Sequence, residues 1–179
     1  MKGIVMRAII IYQSAYGHVN QMAQSIEKGL IESGVEVKLS SALETDPSEV
    51  LDYDALVLGS PVRMGSIGDE MKSFIDKLGG IWMKAAAKNK VGGVFVSGGG
   101  FASGIELTQI SLYSTLIELG MVLVGCVNDM PGFGTGANQW GPFAQVGLEG
   151  KDGPNEDSLT ACNEYGKRLG WAIKRFRDK

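Results

Sequence analysis

Very little in this chain is built for side-chain chemistry. His18 is the only histidine among 179 residues, and Cys126 and Cys162 are the only cysteines. One histidine with no CxxC pair excludes the usual zinc-ligand spacings. The two separated cysteines read as buried, reduced thiols acting as small core hydrophobes in a cytoplasmic protein. No run of Lys and Arg occurs before "KRFRDK" near the end, and a net charge of −3 leaves no electrostatic footprint for nucleic acid. No stretch approaches the roughly 20 apolar residues of a membrane span, and "MKGIVMRAIIIY" lacks the cleavage site of a secretory signal. No GK[ST] is present, which excludes a Walker A loop. "GFGTGA" at 132–137 matches a dinucleotide fingerprint by letter, but "NQWGP" follows it where a helix should begin. "FVSGG" around Ser97 has Phe95 where a nucleophile elbow needs glycine.

Glycine is what the chain has in excess, 26 residues concentrated in the second half. Between the glycines, short apolar runs alternate with helical periodicity. "RAIIIY" reads as a strand buried on both faces. Val19, Met22, Ala23, Ile26 and Leu30 then recur at helical spacing up to Gly34. "VEVKLS", "ALVLGS", "VGGVFVS" and "MVLVGCV" supply four further strands. Helices lie between them, two with apparent capping boxes at Ser66/Asp69 and Ser103/Glu106. A Gly/Pro/Asn-rich segment from Asn128 to Pro154 is expected as a long functional or assembly loop. A last helix carries Leu159, Cys162, Leu169, Ile173 and Phe176, with a basic end suited to the helix dipole. Residues 1–179 are expected to form one domain. Its expected class is α/β, a doubly wound five-stranded parallel sheet in a three-layer α/β/α arrangement.

In such a sheet the ligand sits beyond the carboxyl ends of the strands. Three glycine-bearing loops fall there: Ser14–Val19, Pro61–Ser66 and Gly98–Gly104. The first runs from strand directly into helix with no Lys or Arg. The leading N–H groups of a helix have no partner within it, and the dipole adds about half a positive charge. Those groups, with the Ser14 hydroxyl, can hold a phosphate monoester, and Gly17 lets the backbone come close.

"YQSAYGHVNQMA", "DYDALVLGSPVRMG", "MKSFIDKLGGIW" and "LIELGMVLVG" together resemble the WrbA-type NAD(P)H:quinone oxidoreductases, FMN proteins with the flavodoxin-like fold. The resemblance covers nearly the whole chain, in order. It implies that Ser14, Ala15, Tyr16, Gly17, His18 and Val19 bind the FMN phosphate, mainly through backbone N–H groups. It further implies that Pro61, Val62, Arg63, Met64 and Gly65 border the flavin ring. Gly99, Gly100, Phe101, Ala102, Ser103 and Gly104 would wrap its other edge. Tyr16 would face the nicotinamide of NADH or NADPH, and Trp82 the quinone or similar small acceptor. The flavin would do the chemistry, with no catalytic side chain and no metal. A homo-oligomer, dimer or tetramer, is implied as well. The chain departs from the family where Pro-Thr-Arg-Phe becomes Pro61-Val62-Arg63-Met64, and where a histidine near the flavin becomes Leu119. The alternatives are a flavodoxin-type electron carrier, an FMN-binding relative without quinone reductase activity, or a module that has lost the flavin.

Overall fold

The computed structural model describes residues 5–101 and 103–177. Strand β1 (Met6–Tyr12) sends Ala8 and Ile10 to one face and Ile9 and Ile11 to the other, all fully buried. An unbroken apolar run results because helices cover both faces. Helix α1 (His18–Glu32) buries Val19, Met22, Ala23, Ile26 and Leu30, the stripe its periodicity predicts. Strand β2 (Val35–Ser41) pairs parallel with one edge of β1. A 3-10 helix at Pro47–Asp52 follows, with a formed capping box between Asp46 and Glu49. Strand β3 (Ala55–Arg63) pairs parallel with the other edge of β1. The short β4 (Ser66–Ile67) folds back on the end of β3.

Helix α2 (Asp69–Asp76) and the single turn α3 (Gly79–Trp82) lead to β5 (Val91–Gly98), parallel to β3, and to α4 (Ile105–Glu118). The chain ends with β6 (Val122–Leu123), a hairpin of β7 (Ala137–Asn138) and β8 (Gly141–Gln145), and the long α5 (Glu156–Arg177). The spatial order is β2-β1-β3-β5-β8-β7, with β6 beside the start of β5. The apolar cluster on one side of the sheet draws on α1 and α5, and that on the other on α2 and α4. Among the described residues, no helix is long and apolar enough to cross a membrane.

The fifth strand is the main departure from the sequence expectation. "MVLVGCV" reads as one strand, but only Val122 and Leu123 are strand, pairing with Val91 and Gly92. The chain leaves the sheet and returns as β8 against Val96, Ser97 and Gly98. Side chains end the first half. Tyr113 and Tyr165 both donate their hydroxyls to the Val124 carbonyl, and Arg168 Nε donates to the Gly125 carbonyl at 2.8 Å. Opposite the break, the Val94 N–H donates to the Tyr165 hydroxyl at 3.2 Å. One buried phenol thus replaces a missing rung of the ladder, accepting from one strand and donating to the other. Burial raises the pKa values of Tyr165 and Tyr113 well above the ordinary tyrosine value, so both hydroxyls keep the protons they donate. Tyr165→Phe should strand the Val94 N–H in the core. An unsatisfied buried donor costs about 1–3 kcal/mol, so the urea midpoint should fall with little change in slope.

Cys126 and Cys162 are buried and unpaired. Burial pushes the Cys126 thiol up to about 12 and the Cys162 thiol up as well, which keeps both protonated and unreactive.

Candidate functional site

The sheet order reverses at β1: the chain goes from β1 out to β2 and returns to β3 on the opposite edge. A crevice opens at the carboxyl ends of β1 and β3, the place where doubly wound sheets bind ligands. A cavity of about 250 Å³ lies there, lined by Ser14, Ala15, Tyr16, His18 and Val19 of the first loop and Pro61, Val62 and Arg63 of the second. Ser97, Gly98 and Gly99 close a third side. Val146, Gly147, Leu148, Glu149 and Gly150 make a fourth wall; they lie in the segment expected as a functional or assembly loop, though none of them is among the site residues expected from the sequence.

The first loop enters α1 through Gly17, whose φ of +86° is left-handed. A Cβ there would meet no atom within 4 Å. Glycine is required by backbone conformation, and the space beside it stays open. Among the described residues, no N–H of residues 14–19 donates to a backbone carbonyl. The Asn20 N–H donates to Ser14 Oγ at 3.3 Å, which orients the hydroxyl oxygen toward the helix start and leaves its proton free. Unpaired donors at the head of a 15-residue helix suit a phosphate monoester.

The second loop is shaped by two buried polar residues. Ser60 Oγ accepts from the Gly68 N–H at 2.9 Å and donates to the Pro61 carbonyl at 2.9 Å. Gln13, 4% exposed, donates to Asp69 Oδ1 at 2.8 Å and accepts from the Met71 N–H at 3.2 Å. It ties the end of β1 to the start of α2. A Cβ on Gly68 would fall 2.0 Å from the Gln13 side chain, so a side chain at this position would push Gln13 out of the clamp. The hydrogen bond from Gln13 holds the Asp69 carboxyl below the usual carboxylate range. The N–H groups of Glu70 and Asp69 add to this, and Arg63 assists. The signal for Gln13 in the sequence is one polar residue directly after an apolar strand.

Arg63 extends over the Tyr16 ring, 5.7 Å from its centroid, so the first and second loops meet across the cavity mouth. Met64 and Gly65 are left-handed, with φ of 48° and 73°, and Met64 is fully exposed. Neither lines the cavity. Gly104 abuts Gly65, since a Cβ on Gly104 would lie 3.0 Å from Gly65 Cα.

The third loop divides between two spaces. Gly99 faces the first cavity, whereas Phe101 and Gly104 line a second one of about 660 Å³ with Ile105, Leu107, Phe133 and Phe143. Gly100 and Ser103 line neither, and Ser103 Oγ is buried without a partner. Ala102 lies outside the described residues. Neither expected capping box forms. Ser66 is taken into β4, and Gly68 and Gly104 occupy the two N-cap positions with no side-chain cap. Trp82 is 54% exposed and lines neither of these two cavities. Leu119 is buried in the core beneath α2 and α4.

A flavodoxin domain model matches residues 9–98. A protein of Methylocella silvestris named NAD(P)H dehydrogenase (quinone) is 30% identical, over 91% of this chain and 94% of its own length. One of Bradyrhizobium diazoefficiens with the same name is also 30% identical, over 95% of this chain and 98% of its own. Among solved structures, a flavodoxin, WrbA-like protein from Agrobacterium tumefaciens superposes with a TM-score of 0.75 at 20% identity. That match covers 95% of this chain and 98% of that one.

Proposed function

The chain belongs to the flavodoxin domain family, and from that premise we propose that it is an FMN-dependent NAD(P)H:quinone oxidoreductase. The reading is carried by the convergence of unpaired N–H groups at the head of α1 with loops from β3 and β5 on one cavity. The donor set fits FMN. It offers unpaired backbone N–H groups and the Ser14 hydroxyl at the head of α1, which suits a phosphate monoester at a helix N-terminus. The relatives named above support NADH or NADPH as donor and a quinone as acceptor.

In this reading Ser14 and the N–H groups of residues 15–19 hold the phosphate. Pro61, Val62, Arg63 and Gly99 border the ring, and Met64, Gly65, Gly100, Phe101, Ser103 and Gly104 form the outer rim. Bound FMN supplies hydride acceptance and two-electron delivery. The protein binds, orients and keeps water out. Tyr16, held under Arg63 at the mouth, would meet the nicotinamide. Trp82 and Met83 are exposed, as are Leu107, Ile110 and Ile117 along α4. These exposed apolar side chains support a homo-oligomer, in which Trp82 would reach an acceptor only from a neighbouring copy. Two unpaired buried thiols favour a reducing compartment, the cytoplasm.

The test is the absorption spectrum of the purified protein after addition of FMN. NADH or NADPH then follows without air, and a quinone after that. A flavin band that bleaches with the nicotinamide and returns with quinone is expected, together with steady turnover. No flavin band would exclude FMN binding. A band without quinone turnover would leave an electron carrier.

A further inference from the structure

We propose that His18 is a positioning residue that pins residues 146–153 over the phosphate loop and thereby sets how long a phosphate-bearing cofactor stays bound. The inference rests on the FMN reading for its ligand, but the tether itself stands on geometry alone.

His18 Nε2 lies 2.7 Å from the Gly150 carbonyl oxygen. A carbonyl oxygen only accepts, so Nε2 carries the proton. The ring is 9% exposed, and Nδ1 is buried with no partner, facing Gly153 across 4.0 Å from where a Cβ would stand. The imidazole is therefore inserted beneath the segment. Gly150 also packs on Tyr16, 3.5 Å from where a Cβ would stand.

The segment has little else to hold it there. The Val146 N–H donates to the Gly98 carbonyl at 2.9 Å and anchors the near end to β5. Among the described residues, the segment's remaining hydrogen bonds and its ion pair are internal. The Gly150 N–H bonds to the Gly147 carbonyl, the Asp152 N–H to the Val146 carbonyl, and Glu149 pairs with Lys151. Among the described residues, the His18 bond is the one hydrogen bond from 147–153 to the first loop. Gly147, Gly150 and Gly153 all have left-handed φ, of 72°, 64° and 67°, which gives the segment three points at which its backbone can swing. Val146–Gly150 forms the fourth wall of the cavity. A phosphate seated on the α1 amides leaves past that wall, and releasing the tether opens the path.

The experiment compares wild type with His18→Ala, His18→Phe and His18→Gln. FMN release from the holoprotein is followed by the rise in flavin fluorescence, and amide exchange of residues 146–153 is measured in the apoprotein. One neutral hydrogen bond is worth about 0.5–1.5 kcal/mol, so His18→Ala should speed release about threefold to tenfold. His18→Phe, which restores ring volume without a donor, should do the same. His18→Gln can still donate to the carbonyl and should release FMN nearly as slowly as wild type. Exchange across 146–153 should rise in the Ala and Phe variants and not in Gln. Equal release rates in all four proteins would overturn the proposal. So would slow release in the Phe variant, which would make the role one of packing. Wild type that binds no FMN would remove the FMN reading, and the exchange comparison would still decide the tether.

Discussion

Gly17→Val is expected to give a folded protein that purifies without flavin and binds added FMN at least about a hundredfold more weakly. Two costs combine. Gly17 holds φ at +86°, a region that costs an L-residue about 1–2 kcal/mol and a β-branched one more. The variant must either bear that strain or relax the loop and misplace the leading N–H groups of α1. Each lost hydrogen bond to a charged group is worth about 1.5–3 kcal/mol. Two such losses exceed the roughly 2.7 kcal/mol that a hundredfold change in affinity requires. The fold itself should survive, because a Cβ at this position meets no atom within 4 Å.

Gly34 provides the control. It closes the other end of α1 with φ of +81°, and a Cβ there also meets nothing within 4 Å. Gly34→Val should lose a similar amount of stability by thermal melting and keep its FMN affinity. Gly17→Asn should fall between, since asparagine adopts the left-handed region more readily. If Gly17→Val titrates with FMN like wild type, the phosphate does not sit on this loop.

The first loop was legible because its information is local. An apolar strand, a glycine and a helical stripe within about 15 residues are enough to place unpaired amides at a sheet edge. The order of layers was legible for the same reason, each strand and helix carrying its own period. The split fifth strand was not, since "MVLVGCV" has a continuous apolar pattern and nothing nearby interrupts it. What ends it is Tyr165 and Arg168, some forty residues on, taking the carbonyls of Val124 and Gly125. Missing the split hid the fourth wall as well. Val146–Gly150 lies where it does because β8 returns to the end of β5, whereas the sequence places it within a long loop. The first expected capping box failed by competition. Ser66 and Asp69 have the right spacing, but Gln13 claims Asp69 and β4 claims Ser66. A box formed instead at Asp46 and Glu49, where proline at the next position fixed the helix start.

Gly166→Ala should lower the melting temperature, although alanine favours a helix over glycine by about 1 kcal/mol. The reason is the crossing of α1 and α5. A Cβ on Gly166 would sit 2.2 Å from the Ile26 carbonyl oxygen and 2.9 Å from the Leu30 N. A Cβ on Gly29 would sit 2.0 Å from the Asn163 carbonyl oxygen. Both helices approach backbone to backbone, and neither contact has a flexible side chain that could give way. The helices must move apart by an ångström or more, loosening Val19, Met22 and Ile26 in the core they share. Overpacking of this kind costs about 1–3 kcal/mol. After the gain in propensity is subtracted, the net loss for Ala is up to about 2 kcal/mol, and the rigid backbone on both sides of the contact puts it toward that upper end. That corresponds to a drop of up to about 8 °C for a chain of this length, and Gly166→Leu should lose considerably more. The consequence reaches the site, because the helix being displaced is the one whose head carries the phosphate donors. A shift of α1 moves those N–H groups relative to Pro61–Arg63, which stay fixed on β3. FMN affinity should therefore fall in Gly166→Ala as well, whereas Tyr165→Phe, which removes only the hydroxyl bonded to Val94 and Val124, should lose stability alone. A Gly166→Ala protein that melts above wild type would mean that the two helices have room between them, contrary to the packing seen at Ile26 and Asn163.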